Sequence, residues 1–327
     1  MKKILALVLA LLMLTALCAC SGETPAATGA APSGNKTFNV GIVQLAPHPA
    51  LDAATQGFQE ALKKALGDQV VFDLQNASGD SATCATIVNS FVTKNADLIM
   101  ANATPALQAA YNATSTIPIL GTSITEYGTA LGLKDFNGTV GGNVSGTSDL
   151  APLTEQGDIV LELFPEAKTV GIIYCSAEAN SEYQVKVVEE YLTGKGLKVT
   201  RYSFSDSNDI AAVTQKAADG SDVIYIPTDN TAANSASIIG NILKEKKVPC
   251  VAGEEGICSG CGVATLSISY YDLGYKTGEM AARILKGESK IEEMPIEYAP
   301  AVKKYNKEMA DALEITIPEG YEVIAAD

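Results

Sequence analysis

Beyond residue 38 the chain alternates short apolar runs rich in Val and Ile with longer stretches whose apolar positions recur at helical spacing. That alternation is the pattern of a parallel sheet covered by helices on both faces. Residues 38–45 predict a first strand. A helix is predicted over 51–66, where Ala54, Phe58, Ala61, Leu62 and Ala65 form an i, i+3, i+4 stripe. A strand at 70–74, a helix at 81–95 and a strand at 97–101 continue the series. The order restarts at Thr169 with strand 169–175, helix 181–193, strand 197–204, helix 209–218 and strand 222–226. The halves can be laid over each other. Segment 97–105 corresponds to 222–230, each a third strand ending in polar residues that open a helix, and 117–122 parallels 248–254 as a fourth.

The fold class expected is α/β, with two Rossmann-like lobes of parallel sheet joined by a hinge. The first lobe is expected over 38–147 plus about 270–290. The second is expected over 148–269 plus about 291–327, which makes three crossovers, the last by fold analogy. Segment 141–149, rich in Gly, Asn, Ser and Thr, reads as hinge.

Ahead of the lobes, the first residues run from Lys2 and Lys3 through an apolar stretch at 4–17 to Cys18-Ala-Cys20, the order of a secretory signal. As a helix the apolar run would reach only about 21 Å, short of a roughly 30 Å hydrocarbon core. Leu17-Cys-Ala-Cys20 resembles the bacterial lipobox, so residues 1–19 read as signal peptide and Cys20 as the lipidated residue. An ordinary cleaved signal with two chance cysteines is the plainer reading. Residues 20–37, mostly Ser, Gly, Thr, Ala and Pro, bury nothing and read as a tether. The expected location is the outer face of the cell membrane.

Without Lys2 and Lys3, 21 basic residues face 38 acidic ones, a formal charge of −17. Such a surface repels phosphate backbones and excludes nucleic acid as a partner. Five cysteines remain beyond the lipobox, Cys84, Cys175, Cys250, Cys258 and Cys261. Buried thiols, a structural disulfide and a metal or redox site are the three readings, and Cys258-Ser-Gly-Cys261 is placed in a glycine-rich loop. One histidine in the chain argues against zinc, and no metal or cofactor is expected.

In an open parallel sheet, ligands collect at the carboxyl ends of strands. The loops there hold hydroxyls and amides in the first lobe, and the carboxylates Glu178, Asp229, Glu254 and Glu255 in the second. That division suits a zwitterion, with a ligand carboxylate near Thr104, Ser123 or Ser145 and an ammonium at Asp229 or Glu254. Thr104 and Asn230 read equally as helix caps. His48, between Pro47 and Pro49, reads either as a stacking partner or as a surface residue of a rigid turn. No P-loop, H-E-x-x-H or G-x-S-x-G motif occurs, so no catalytic residue is assigned.

Several blocks together resemble a known family: His48-Pro-Ala-Leu-Asp52, Ala103-Thr-Pro105, Ala179-Asn-Ser181, Pro227-Thr-Asp-Asn230, Ala252-Gly-Glu-Glu255, and Tyr270-Tyr-Asp-Leu-Gly-Tyr275 with Thr277-Gly278. They are similar to the ABC-transporter substrate-binding lipoproteins of tryptophan and tyrosine uptake, of type I periplasmic-binding-protein (Venus-flytrap) fold, over about 38–313. Gly256-Ile-Cys-Ser-Gly-Cys261 departs from the family, with two cysteines where a plain turn is expected. The resemblance implies a monomeric, non-enzymatic receptor that closes on an aromatic amino acid and delivers it to a permease driven by an ATPase. The alternative is a ligand-sensing lipoprotein that presents its bound state to a membrane receptor. The candidate ligand-binding residues are His48, Leu51, Asp52, Thr104, Pro105, Ser123, Ser145, Asn180, Thr228, Asp229, Asn230 and Glu254.

Overall fold

Val40, Ile42 and Val43 are all but fully buried in strand β1 (Phe38–Gln44), and only a strand covered on both faces hides consecutive side chains in this way. A computed structural model describes residues 36–325, so the signal, Cys20 and most of the tether lie outside the described residues. After β1 come α1 (Pro49–Leu66), β2 (Val70–Asn76), α2 (Ser81–Thr93), β3 (Leu98–Asn102), α3 (Thr104–Ala113), β4 (Ile119–Ile124), α4 (Tyr127–Leu131) and β5 (Val144–Ser148). The strands align in the order β2-β1-β3-β4-β5, all parallel.

A second series begins with α5 (Leu153–Leu163), β6 (Thr169–Cys175), α6 (Ala179–Gly194), β7 (Lys198–Phe204), α7 (Ile210–Asp219) and β8 (Val223–Ile226). It continues through α8 (Asn230–Asn234), α9 (Ala236–Lys246), β9 (Cys250–Ala252), α10 (Glu255–Cys261) and β10 (Ala264–Ile268). Its sheet runs β7-β6-β8-β9-β10, again parallel.

The chain then recrosses. Helix α11 (Tyr270–Leu285) lies against α1, and the contact is close because glycine stands at the crossing. A Cβ on Gly274 would sit 1.9 Å from the Ala54 carbonyl oxygen, and one on Gly57 would sit 2.2 Å from that of Tyr271. Strand β11 (Glu297–Tyr298) pairs with β5 at the edge of the first sheet. Then β12 (Ala301–Tyr305), antiparallel to β10, helix α12 (Lys307–Ala312) and β13 (Glu322–Val323) complete the second sheet.

Two boundaries differ from the sequence reading. Ile291 and Met294 pack with Phe58, Leu62 and Met280 in the core beside the first sheet. The last crossing therefore falls at 299–300 rather than near 291. The expected hinge at 141–149 is instead largely strand β5, buried along its whole length, and the crossing segment is 149–152. The small polar residues that suggested a loop are buried because each hydroxyl finds a partner: Ser145 donates to the Met294 carbonyl at 3.0 Å, Ser148 to that of Thr125 at 2.8 Å, and the Thr147 and Thr277 hydroxyls meet at 2.9 Å.

Candidate functional site

The carboxyl ends of the strands in both sheets face one cleft. His48, Leu51, Ser123 and Thr125 line it from the first sheet's side, and Asn180, Thr228, Asp229, Asn230, Ala233 and Glu254 from the second's. Asp149 and Tyr270 enter from two crossing segments. Little open space is left among these residues.

Helix starts place most of the second wall. Asp229 caps α8, accepting from Ala232 N at 2.8 Å, and also accepts from Cys175 N at 2.6 Å and the Ser181 hydroxyl at 2.7 Å. Burial, then the nearby Glu178 charge, pushes its carboxyl up to about 7. Glu254 caps α10, accepting from Gly256 N at 2.6 Å and from Ile257 N. Burial raises it to about 7 as well.

Glu178 ties the start of α6 to that of α8. It accepts from Asn180 Nδ2 at 3.2 Å, Asn230 Nδ2 at 2.6 Å, Asn230 N at 3.1 Å, Thr231 N at 2.9 Å and the Thr231 hydroxyl at 2.8 Å. Asn230 Oδ1 in turn lies 3.4 Å from His48 Nε2, a link between the two walls. Burial lowers the His48 pKa and favours the neutral ring. At the crossing, Tyr270 donates its hydroxyl to Asp149 Oδ2 at 2.8 Å, and burial raises the Asp149 pKa.

Seven buried side-chain polar atoms among the described residues have no hydrogen-bond partner. Four of them, His48 Nδ1, Ser123 Oγ, Asp149 Oδ1 and Asn180 Oδ1, belong to residues of this one cleft. Buried polar groups are rarely left unpaired in native proteins, so their convergence singles this cleft out among the described residues as the candidate site.

Of the residues singled out from sequence, His48, Leu51, Ser123, Asn180, Thr228, Asp229, Asn230 and Glu254 come together here. Four stand apart. Asp52 is exposed on α1 and accepts from Gln44 Nε2 at 2.6 Å. Thr104 is buried at the start of α3, and Pro105 beside it lines a neighbouring recess with Glu178, Asp206 and Asn230. Ser145 is spent inside the first sheet on Met294, three residues short of the carboxyl end of β5. Thr125, Asp149 and Tyr270 were not assigned from sequence. Asp149 had a legible signal, since it is the one acid at the end of a segment already read as the passage between lobes.

The C-x-x-C segment is helix α10, not a loop, and Cys84, Cys175, Cys250, Cys258 and Cys261 are all free and buried. No cluster of His, Cys, Asp or Glu among the described residues could hold a metal ion, and no helix among them is long and apolar enough to cross a membrane.

Residues 39–327 match the family described as ABC transporter substrate binding protein. The chain belongs to this family. Its architecture is that of the type I periplasmic binding proteins. This substrate-binding protein is 38% identical over 302 residues to a tyrosine-binding protein of Clostridioides difficile (strain R20291), covering 90% of the present chain and 87% of the relative. It is also similar to the ABC domain from Streptococcus pneumonia in complex with L-Trp, with a TM-score of 0.83 at 32% identity over 88% of this chain and 100% of that one. A ligand-free, open substrate-binding protein with adhesive properties from Clostridium difficile has higher identity, 37%, over 89% of this chain and all of that one, yet a lower TM-score of 0.68. The substrate-binding protein therefore fits the tryptophan-bound structure better than the open one, in keeping with the His48–Asn230 link between its walls.

Proposed function

We propose that this substrate-binding protein captures an amino acid with an aromatic side chain, tyrosine or tryptophan, between its two lobes and hands it to the permease of an ABC importer. One observation carries the reading: four unpartnered buried polar atoms meet in a cleft that holds both acids and hydroxyls. The ligands of the two similar proteins supply the chemical class. Anchoring through lipid on Cys20 keeps the receptor beside its permease at the outer membrane face. Opening and closing is a hinge motion about the three crossing segments at 149–152, 269 and 299–300.

The test is a thermal-shift screen of the purified protein against the common amino acids. Tyrosine or tryptophan at a hundredfold excess over Kd is expected to add about 2.7 kcal/mol of stability. A midpoint that no amino acid moves overturns the reading. Anchoring is tested separately, since Cys20→Ala should release the protein from the membrane fraction into the medium.

A further inference from the structure

We infer that Cys250 and Cys261 form a disulfide when the protein meets a small disulfide outside the cytoplasm, and that this cross-link fastens helix α10 to strand β9. The cross-link rests on the proposed function for its compartment alone, and not on which ligand the cleft takes.

Three of the five thiols gather beneath the cleft. Cys250 lies on β9, Cys258 and Cys261 lie on α10, and all three are fully buried in a core shared with Ile239, Leu243 and Ile257. Glycines bring these elements together. Helix α10 sits close against α9, where a Cβ on Gly260 would stand 2.5 Å from that of Ala236. The turn after α10 then folds onto β9: a Cβ on Gly262 would lie 3.2 Å from that of Ala252, and Val263 N donates to the Cys250 carbonyl at 2.7 Å. Cys261, two residues before Val263, is thereby set against Cys250, and the two side chains meet. Each thiol otherwise reaches a carbonyl of its own segment, that of Val251 at 3.5 Å for Cys250 and that of Ile257 at 3.2 Å for Cys261. Cys84 is in the other lobe, on α2, and Cys175 is on β6, two strands from β9.

Disulfides form and persist outside the cytoplasm, so two thiols in contact there are a pair ready for exchange. The Cys261 thiolate attacks one sulfur of the small disulfide and releases the first small thiolate. The Cys250 thiolate then attacks the Cys261 sulfur and expels the second. Two cysteine thiols are oxidised to one disulfide, and the small disulfide is reduced to two thiols that take up both protons. Cys261 reacts first because it ends a seven-residue helix with two glycines, and such an end opens before the core does. Burial holds the Cys250 thiol well above its usual range, which keeps the exchange slow in the folded protein and lets the link form as the chain folds. The closed loop, residues 250–261, contains Glu254, whose carboxylate accepts from Gly256 N and Ile257 N.

The test refolds the reduced mature protein from urea with oxidised glutathione, then alkylates the unfolded chain and maps it after cleavage at Glu254 and Glu255. The peptide carrying Cys250 is expected joined to the one carrying Cys258 and Cys261, with Cys84, Cys175 and Cys258 alkylated. The thermal midpoint should rise by several degrees and fall back with dithiothreitol. Amide exchange at Gly256 and Ile257 should slow by about tenfold or more, because the linked helix opens less often. Cys258→Ala should keep the link, whereas Cys250→Ala and Cys261→Ala should each lose it; where a variant fails to fold, the map of the parent decides. A link between Cys258 and Cys261, glutathione adducts without an internal link, or five alkylated thiols overturns the cross-link. Exchange at Gly256 and Ile257 that ignores the link overturns the fastening of α10. No readout uses an amino acid, so a failed thermal-shift screen removes the proposed ligand and leaves the cross-link, while an unlinked chain removes the cross-link and leaves the ligand.

Discussion

Glu254 shows what a single buried carboxyl costs and what it sets up. In the unfolded chain it titrates near its ordinary 4.5, whereas burial holds it at about 7 in the native protein. The native state thus keeps the proton more tightly, so the associated stabilisation is full below pH 4.5 and is lost as pH rises through about 7. Glu254→Gln removes the titration and keeps the shape. Between pH 5.5 and 8.5 the stability difference should move in favour of the variant by about 2 kcal/mol. Chemical denaturation at the two pH values measures it, and a constant difference would show that Glu254 stays ionised throughout. Asp229 was the carboxylate that composition best suited to an ammonium, but its oxygens already accept three hydrogen bonds. Sequence shows which residues share a loop, not how many of their lone pairs are taken, and for that reason Asp149 went unassigned.

At the scale of elements, legibility followed side-chain volume. The Val- and Ile-rich strands β1, β6 and β8, and the apolar run Leu98–Ala101 of β3, could be read from their own residues. Strand β5 could not, because Val144 is its sole large apolar side chain and its hydroxyls are satisfied by partners as distant in sequence as Thr277 and Met294. Helix α10 was hidden by Gly256 and Gly260, residues of low helix propensity. Tertiary packing overrides that propensity, since a Cβ on Gly240 of α9 would lie 2.1 Å from the Gly260 carbonyl oxygen. The crossing of α1 and α11 is closer still. Gly274→Ala should therefore cost more than about 2 kcal/mol through overpacking against backbone that cannot move aside. A thermal midpoint within a degree of the parent's would show that the two helices can part.

Across the whole molecule the two lobes should approach each other on binding. Small-angle scattering is expected to show the radius of gyration fall when tyrosine is added, and an unchanged value would argue for a permanently closed cleft. The five buried thiols make a second global probe. Burial pushes Cys84 and Cys175 to about 11, where little thiolate exists to react. None of the five should take up a thiol reagent in the native protein, and all should do so once it unfolds; a fast-reacting native thiol would expose a local opening. The return of α11 and β11 to the first layer also has a consequence for biosynthesis. The half of the protein made first is finished by nearly the last segment made, so residues 37–148 alone lack the helix that covers α1 and the strand that borders β5. A chain truncated before Tyr270 should stay uncompacted and protease-sensitive, which would leave the emerging polypeptide slack until nearly all of it has been made.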